Sequence, residues 1–308
     1  MAQVKPKMRF GAVVKKDFRR NWPLYLLVLP VVIYYVIFHY WPMYGIQIAF
    51  RNFSLMRGYL DWVGFRHFID FFNSFYSWRI IRNTLLLSFY SMLFGFPAPI
   101  IFALLLNEVR LSSFKRSIQT LSYLPHFISM VVICGMIIQF TMYRGLINDI
   151  IAMFGGQRVP LLAFPQYFRT IFIASDIWQG LGWGSIIYLA AIATVDQEQY
   201  ESAIVDGAGR FKRMWHITLP GIMPTITILL ILRIGSLMSV GTEKVLLLYS
   251  PATYSTADVI GTYIFRRGLN QQNFSLGAAV GLMNSTINMI LLILANLFSK
   301  KFSETSLW

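Results

Sequence analysis

The chain has 308 residues, 56% of them hydrophobic and 13% charged, with a mean hydropathy of +0.56. Soluble domains carry about a quarter of charged residues, so this composition excludes an ordinary soluble enzyme and points to an integral membrane protein. The net charge of +14 would suggest nucleic acid in a soluble chain, but here it lies beside apolar runs and reads as membrane topology, with no nucleic-acid partner.

Crossing about 30 Å of hydrocarbon takes roughly 20 apolar residues. Six runs qualify, at 23–41, 84–106, 121–142, 168–195, 221–241 and 276–298. Residues 1–22 form a basic tail with Lys5, Lys7, Arg9, Lys15, Lys16, Arg19 and Arg20, suited to anionic lipid, and Lys300 and Lys301 follow the last run. Cationic flanks and an even span count place both termini in the cytoplasm, together with the loops at 107–117 and 196–220. The outer loops carry Arg51, Arg57, Arg66, Arg79 and Arg82 as well, so the asymmetry is incomplete. The first run is too long for a cleaved signal peptide, and no small-x-small site follows it. Trp22, Tyr25, Tyr40 and Trp41 bracket it as interface anchors.

The outer segment 42–82 is dense in aromatics, from Phe50 to Trp78, and reads as short amphipathic helices on the membrane surface. A sugar-stacking surface is the second reading. Pro97 and Pro99 should kink the second span. His39, His67, His126 and His216 are isolated and Cys134 is alone, so neither a metal site nor an intramolecular disulfide is expected. The fourth span carries Asp176, Trp178, Gln179, Trp183 and Tyr188, and the fifth carries Arg233. Ionisable groups at membrane depth are costly, so Asp176 and Arg233 should face an interface, a polar cavity or a partner subunit. The rings of Trp178, Trp183 and Tyr188 suit either sugar stacking or helix packing. Gly180, Gly182 and Gly184 follow no strand, which favours close helix packing over a phosphate loop. Asn284, Ser285, Thr286 and Asn288 in the sixth span suit interhelical hydrogen bonds or a polar path.

Between the fourth and fifth spans lies a polar island, Asp196 to Pro220, DQEQYESAIVDGAGRFKRMWHITLP. Asp196 with Gln199 three residues on reads as a helix start. Gly207 and Gly209 end that helix and let a second begin near Arg210, and Pro220 suits the first turn of the next. Glu201, Ala203, Gly207, Ile217, Leu219 and Pro220 stand at the spacing E-A-A-x3-G-x9-I-x-L-P, with Ser202 in place of the first Ala. This pattern resembles the signature loop of the inner-membrane subunits of binding-protein-dependent ABC importers, and RNTLLLS, opening the second span, resembles the start of their core domain. LYSPATYSTADVIGTYIFRRGL and the terminal SETSLW are similar to the polysaccharide and oligosaccharide branch of the carbohydrate importers.

The resemblance implies an all-α membrane protein with six transmembrane helices in the type I ABC importer permease fold, in a bacterial cytoplasmic membrane. Residues 23–82 would form a first span and outer segment, 83–300 the core permease domain, and 301–308 a short tail. Glu201, Ser202, Ala203, Asp206, Gly207, Ala208, Gly209 and Arg210 would couple the chain to an ATPase, with Tyr200, Ile204, Phe211 and Trp215 as an apolar stripe. Asp176, Trp178, Gln179, Trp183, Tyr188, Arg233 and Asn284 are the candidate substrate path. No phosphate-binding G-x-x-x-x-G-K-[ST] run and no catalytic constellation occurs, so no cofactor is assigned to this chain. ATP and Mg would sit on two cytoplasmic ATPase subunits. A second, homologous permease and an extracellular binding protein complete the expected partners. The expected cargo is an oligosaccharide, with Arg233, Arg266 and Arg267 suited to an acidic one. Import of peptides or amino acids is the alternative. A self-sufficient secondary transporter is a weaker one, since it would favour several intramembrane charges and inverted repeats.

Overall fold

The computed structural model describes residues 10–302 and 306–307. Lys5, Lys7, Arg9 and most of the terminal SETSLW lie outside these. Helix α1 (Phe10–Tyr35) holds Pro23 and Pro30 and bends at Asn21, whose ψ is 20°. The basic segment from Phe10 onward is therefore helical and continuous with the first span. This stretch packs little of its apolar surface on the rest of the subunit: Leu26, Leu27, Val31 and Val32 are all exposed.

A π-helical turn, Val36–Tyr40, leads into a 3-10 helix, Trp41–Phe50. The same device recurs at Ser91–Gly95, ahead of Pro97, and at Met214–Thr218, ahead of Pro220. Proline has no N–H to donate and its ring crowds the carbonyl four residues back, so a widened turn just before it relieves the helix. The kink expected at Pro97 and Pro99 is replaced by this widened turn: Phe96 keeps helical angles (φ −71°, ψ −44°), Pro97 opens a new helix, and Ser77–Asn107 remains one span.

Residues 42–82 depart from the expectation of surface helices. They contain an antiparallel hairpin, β1 (Arg51–Ser54) and β2 (Gly58–Trp62), followed by the short helix α2 (Arg66–Phe72). Aromatic pairs hold it together: Phe53 packs edge-on to Tyr59 at 5.5 Å, and Phe50 stacks on Trp62 at 5.7 Å. Cross-strand pairing of rings stabilises a hairpin as well as helical spacing stabilises a helix, so aromatic density does not distinguish them.

Helices α3 (Ser77–Tyr90) and α4 (Pro97–Asn107) form the second span. The third departs from the 121–142 expectation. Its candidate span is Met130–Met153, made of α6 (Met130–Thr141) and α7 (Leu146–Met153), and the polar helix α5 (Ser112–Tyr123) is cut off from it by a 3-10 turn at Leu124–Phe127, where Pro125 stands. The fourth is α8 (Pro165–Ile192), continued across a 77° bend by α9 (Gln197–Val205). After α10 (Arg210–Arg213) and α11 (Leu219–Gly221), the fifth span is α12 (Met223–Ile234). Its 12 residues reach only about 18 Å, well short of the 221–241 run. The segment before it, Arg210–Gly221, meets α12 at 60°. Helices α13 (Thr242–Leu248), α14 (Tyr254–Ala257) and α15 (Ile260–Tyr263), with the π segment Ile264–Asn270, precede the last span, α16 (Phe274–Phe302). The tail folds back, with the Leu307 amide donating to Asn296 Oδ1 at 2.8 Å.

Three apolar clusters organise the packing. Leu87, Ile133, Ile137, Phe168, Phe172 and Val245 join α3, α6, α8 and α13. Phe71, Ile80, Ile260, Tyr263 and Val280 join α2, α3, α15 and α16. Ile100, Leu104, Tyr188, Ile192 and Ile222 join α4 and α8 to the start of α12. Gly182 allows the close approach of α5 to α8, since a Cβ there would overlap the Ser122 carbonyl.

Candidate functional site

The polar island folds as helix, turn, helix. Asp196 caps α9 by accepting from the Glu198 amide at 3.0 Å; no bond from Gln199 closes the reciprocal half of the expected box. At its other end Ala208 N–H donates to Ala203 O at 2.8 Å and Gly207 N–H to Ile204 O at 3.0 Å, the paired bonds of a Schellman stop. Gly207 sits at φ +74°, the left-handed conformation that stop requires. Gly209 does not share this role. Its φ of −66° and ψ of 167° are open to any residue, and it caps α10 instead of ending α9.

Tyr200 anchors the unit: its hydroxyl shares a 2.8 Å hydrogen bond with Thr218 Oγ1, and its ring packs with Met214, Ile217 and Leu219 on the cluster around Tyr188. The rest of the expected apolar stripe points away from the body. Ile204, Val205, Phe211 and Trp215 are all exposed, Val205 at 87% and Phe211 at 78%, beside the exposed Glu201, Ser202, Asp206 and Arg210. These side chains together leave an apolar patch rimmed by charge on the outside of the loop.

Deeper in, two adjoining cavities of about 430 and 260 Å3 share Asp176, Arg233 and Ser236 in their walls. Helix α8 supplies Asp176, Gly180, Gly184 and Tyr188, and α12 supplies Arg233; Phe96 and Pro99 close the larger cavity and Ser88 and Ser91 the smaller. The intramembrane charges that the sequence singled out therefore meet at one space, but they do not pair with each other. Asp176 bonds Lys244 at 3.6 Å, and that ammonium is 1% exposed, donates to Phe172 O at 3.3 Å and lies over the Phe172 ring at 4.9 Å. Arg233 donates to Ser91 Oγ at 2.9 Å and has no acidic partner among the described residues.

The remaining candidates lie elsewhere. Trp183 stacks flat on His126 at 4.4 Å beside the break between α5 and α6, and Trp178 lines an apolar groove between α6, α7 and α8. Gln179 and Asn284 are not in the cavity walls; Asn284 Oδ1 is buried without a hydrogen-bond partner among the described residues. Asn288 ties α16 to the turn that follows α12, accepting from the Met238 amide and donating to Ser239 Oγ, both at 2.9 Å.

Arg266 and Arg267, expected to suit an acidic sugar, are engaged. Asp258, 0% exposed, takes a bidentate pair from Arg266 at 3.1 and 2.7 Å, a bond from Thr262 at 2.9 Å and the Arg79 guanidinium at 3.7 Å. Burial alone would lower the Arg266 pKa, but the bonds and charge of Asp258 outweigh it and hold the guanidinium above its ordinary value. Arg267 bonds Gln271 at 2.9 Å. Asn83 ties this outer loop to the spans by donating to the Asp258 and Ser255 carbonyls, both at 3.1 Å, while accepting from Arg169 at 2.9 Å. Sequence reasoning missed Lys244, Ser91 and the Asp258 network. An acid and a base eight residues apart, or a Lys in an outer loop, carry no periodicity that would mark them.

Comparison with known proteins places this geometry. Residues 76–304 match the family described as binding-protein-dependent transport system inner membrane component. Protein LplB of Bacillus subtilis (strain 168) is 47% identical over 96% of this chain and 93% of its own length. The polygalacturonan/rhamnogalacturonan transport system permease protein YteP of the same strain is 44% identical over 92% and 90%. Among solved structures, a chain of a bacterial alginate ABC transporter, determined with an alginate pentasaccharide-bound periplasmic protein, superposes with a TM-score of 0.89 at 43% identity, covering 95% of this chain and 99% of that one. The chain belongs to the binding-protein-dependent family of inner-membrane transport components and is an ABC importer permease subunit.

Proposed function

We propose that this subunit forms half of the translocation pathway for acidic, plant-polysaccharide-type oligosaccharides, driven by ATP hydrolysed on separate subunits. The observation that carries the substrate class is Arg233, a guanidinium beside the cavity whose partner among the described residues is a serine hydroxyl. An unneutralised cation at membrane depth is costly, and a passing carboxylate offsets that cost. The naming of relatives for polygalacturonan and alginate transport supports the same chemistry.

In this reading both termini and α9–α10 face the cytoplasm. Glu201, Ser202, Ala203, Asp206, Gly207, Ala208, Gly209 and Arg210, with exposed Ile204, Phe211 and Trp215, dock into an ATPase subunit. Closure of two ATPases moves α9 as a rigid body, and Tyr200–Thr218 and the cluster beneath it pass the tilt to α8 and α12. These two helices carry Asp176 and Arg233, so the cavity changes shape as the loop moves. ATP and Mg stay on the ATPases, a binding protein delivers the solute, and a second, homologous permease completes the pathway.

The test is uptake by the reconstituted complex of uronic-acid oligomers, their methyl esters, neutral oligosaccharides and peptides. Uptake of the acids, with Arg233→Gln lowering it by about tenfold or more while esters are little changed, supports the reading, since a charge-assisted bond contributes about 1.5–3 kcal/mol. Preference for peptides or neutral sugars refutes it.

A further inference from the structure

The outward continuation of the cavity wall holds a second group of cations. A groove of about 570 Å3 between α3 and α8 is lined by Tyr90, Phe94, Gln166, Arg169, Ile173 and Ile177. Ile177 also lines the central cavity, so the two spaces share one face of α8. Positions 166, 169, 173 and 177 recur at helical spacing and run into 180, 184 and 187 of the inner wall. By the helix rise, Arg169 lies about 10 Å outward of Asp176.

Arg169 donates one bond, to Asn83 Oδ1 at 2.9 Å, while its Nε is buried with no partner among the described residues. No carboxylate pairs with it among those residues, and the residue before its partner Asn83 on α3 is another cation, Arg82. Arg82 is exposed, makes no hydrogen bond or ion pair among the described residues, and stands about two turns outward of Tyr90. Asp258, the nearby buried acid, is already saturated by Arg266, Thr262 and Arg79. An orphaned buried donor on Arg169, with the exposed cation Arg82 one residue from its partner Asn83, leaves positive charge unbalanced beside the groove. The rest of the groove offers the rings of Tyr90 and Phe94, whose faces suit the apolar face of a pyranose.

We propose that Arg82 and Arg169 form an outer carboxylate-binding subsite, distinct from Arg233, that takes a uronate unit of the oligosaccharide as it enters from the binding protein. This rests on the acidic-oligosaccharide reading above. The volume suits a short stretch of sugar units within the usual range of ligand sites. One uronate at the outer pair and another at Arg233 would hold the chain along α8 and orient it for passage.

The experiment measures uptake by the full reconstituted complex, with a uronic-acid oligomer and its methyl ester as paired substrates, in nanodiscs or vesicles with and without anionic phospholipid. Wild type, Arg82→Gln, Arg169→Gln and Arg169→Lys are compared. The expected result is an acid-to-ester ratio of kcat/KM lowered about tenfold in each Gln variant, mainly through KM, and largely retained in Arg169→Lys. A purely structural role for Arg169 would depress both substrates equally and leave the ratio unchanged. Arg82→Gln breaks no hydrogen bond or ion pair among the described residues, so the question stays decidable if Arg169→Gln fails to assemble. Wild-type preference for acids with an unchanged ratio in Arg82→Gln overturns the subsite while sparing the wider reading; wild-type indifference to charge overturns both. An effect seen only with anionic phospholipid present overturns it in favour of a lipid headgroup at the arginine pair.

Discussion

Gly207 offers the sharpest perturbation of the loop, because its cost is separable into parts. Its φ is +74° and nothing lies within 4 Å of a Cβ built there, so an added methyl meets no neighbour and its whole effect is backbone strain. That strain is about 1–2 kcal/mol for an ordinary L-residue, which lowers the population of the Schellman turn relative to competing geometries about 5- to 30-fold. Asparagine tolerates the left-handed region better and should be mildest. Aspartate adds a second carboxylate beside Asp206 at the negative end of α9, so Gly207→Asp should abolish uptake with the complex still assembled. The assay is ATP-driven uptake by reconstituted complexes, with co-purification of the ATPase as the assembly control. The expected order of activity is Gly, Asn, Ala, Asp. Normal uptake by Gly207→Ala, or an Asn variant as impaired as Ala, would refute the strain argument, and normal uptake by Gly207→Asp or an Asn variant as impaired as Asp would refute the charge argument.

Other outcomes follow from the buried charges and the close helix contact. Asp258→Ala should lower stability by about 3–5 kcal/mol, since it strands Arg266 without its bidentate partner; thermal unfolding of the purified complex reads this, and adding Arg266→Met should restore much of it. Asp176→Asn should destabilise more than Lys244→Met, because the first leaves a 1%-exposed ammonium without its counter-charge and the second leaves a carboxylate that is 40% exposed; equal melting shifts would contradict the burial asymmetry. Gly182→Val should push α5 off α8 at the Ser122 carbonyl at a cost of about 1–3 kcal/mol, and unchanged unfolding would show that the helices can separate freely.

Much of the architecture is legible because lipid permits few solutions. Long apolar runs must be helical, so the second and sixth spans lie close to where composition puts them. Runs fail where helices break inside an apolar stretch. Pro125 splits 121–142, and residues 235–241, apolar enough to extend a span, turn instead at Gly235 and Ser236, where α12 ends and the chain heads for Asn288. Local signals carry the loop well: Asp196 caps, Gly207 turns and Arg210 restarts the helix. The cavity is half legible. Cost of burial singles out Asp176 and Arg233, but which face each ring takes depends on neighbours across the bundle, and so Trp183 goes to His126 and only Tyr188 of the three stacking candidates reaches the cavity wall. Arg266 escapes sequence reasoning for the same reason, since its pairing with buried Asp258 depends on how the outer loop folds.

The central claim, that α9–α10 connects a passive pathway to a separate energy source, is tested most directly by uptake of a uronic-acid oligomer into proteoliposomes. The vesicles contain this chain, its partner permease and the binding protein, with the ATPase subunits present or omitted. The account predicts ATP-dependent accumulation with the ATPases and none without them. Accumulation by vesicles lacking the ATPases, or by this chain alone, would contradict it.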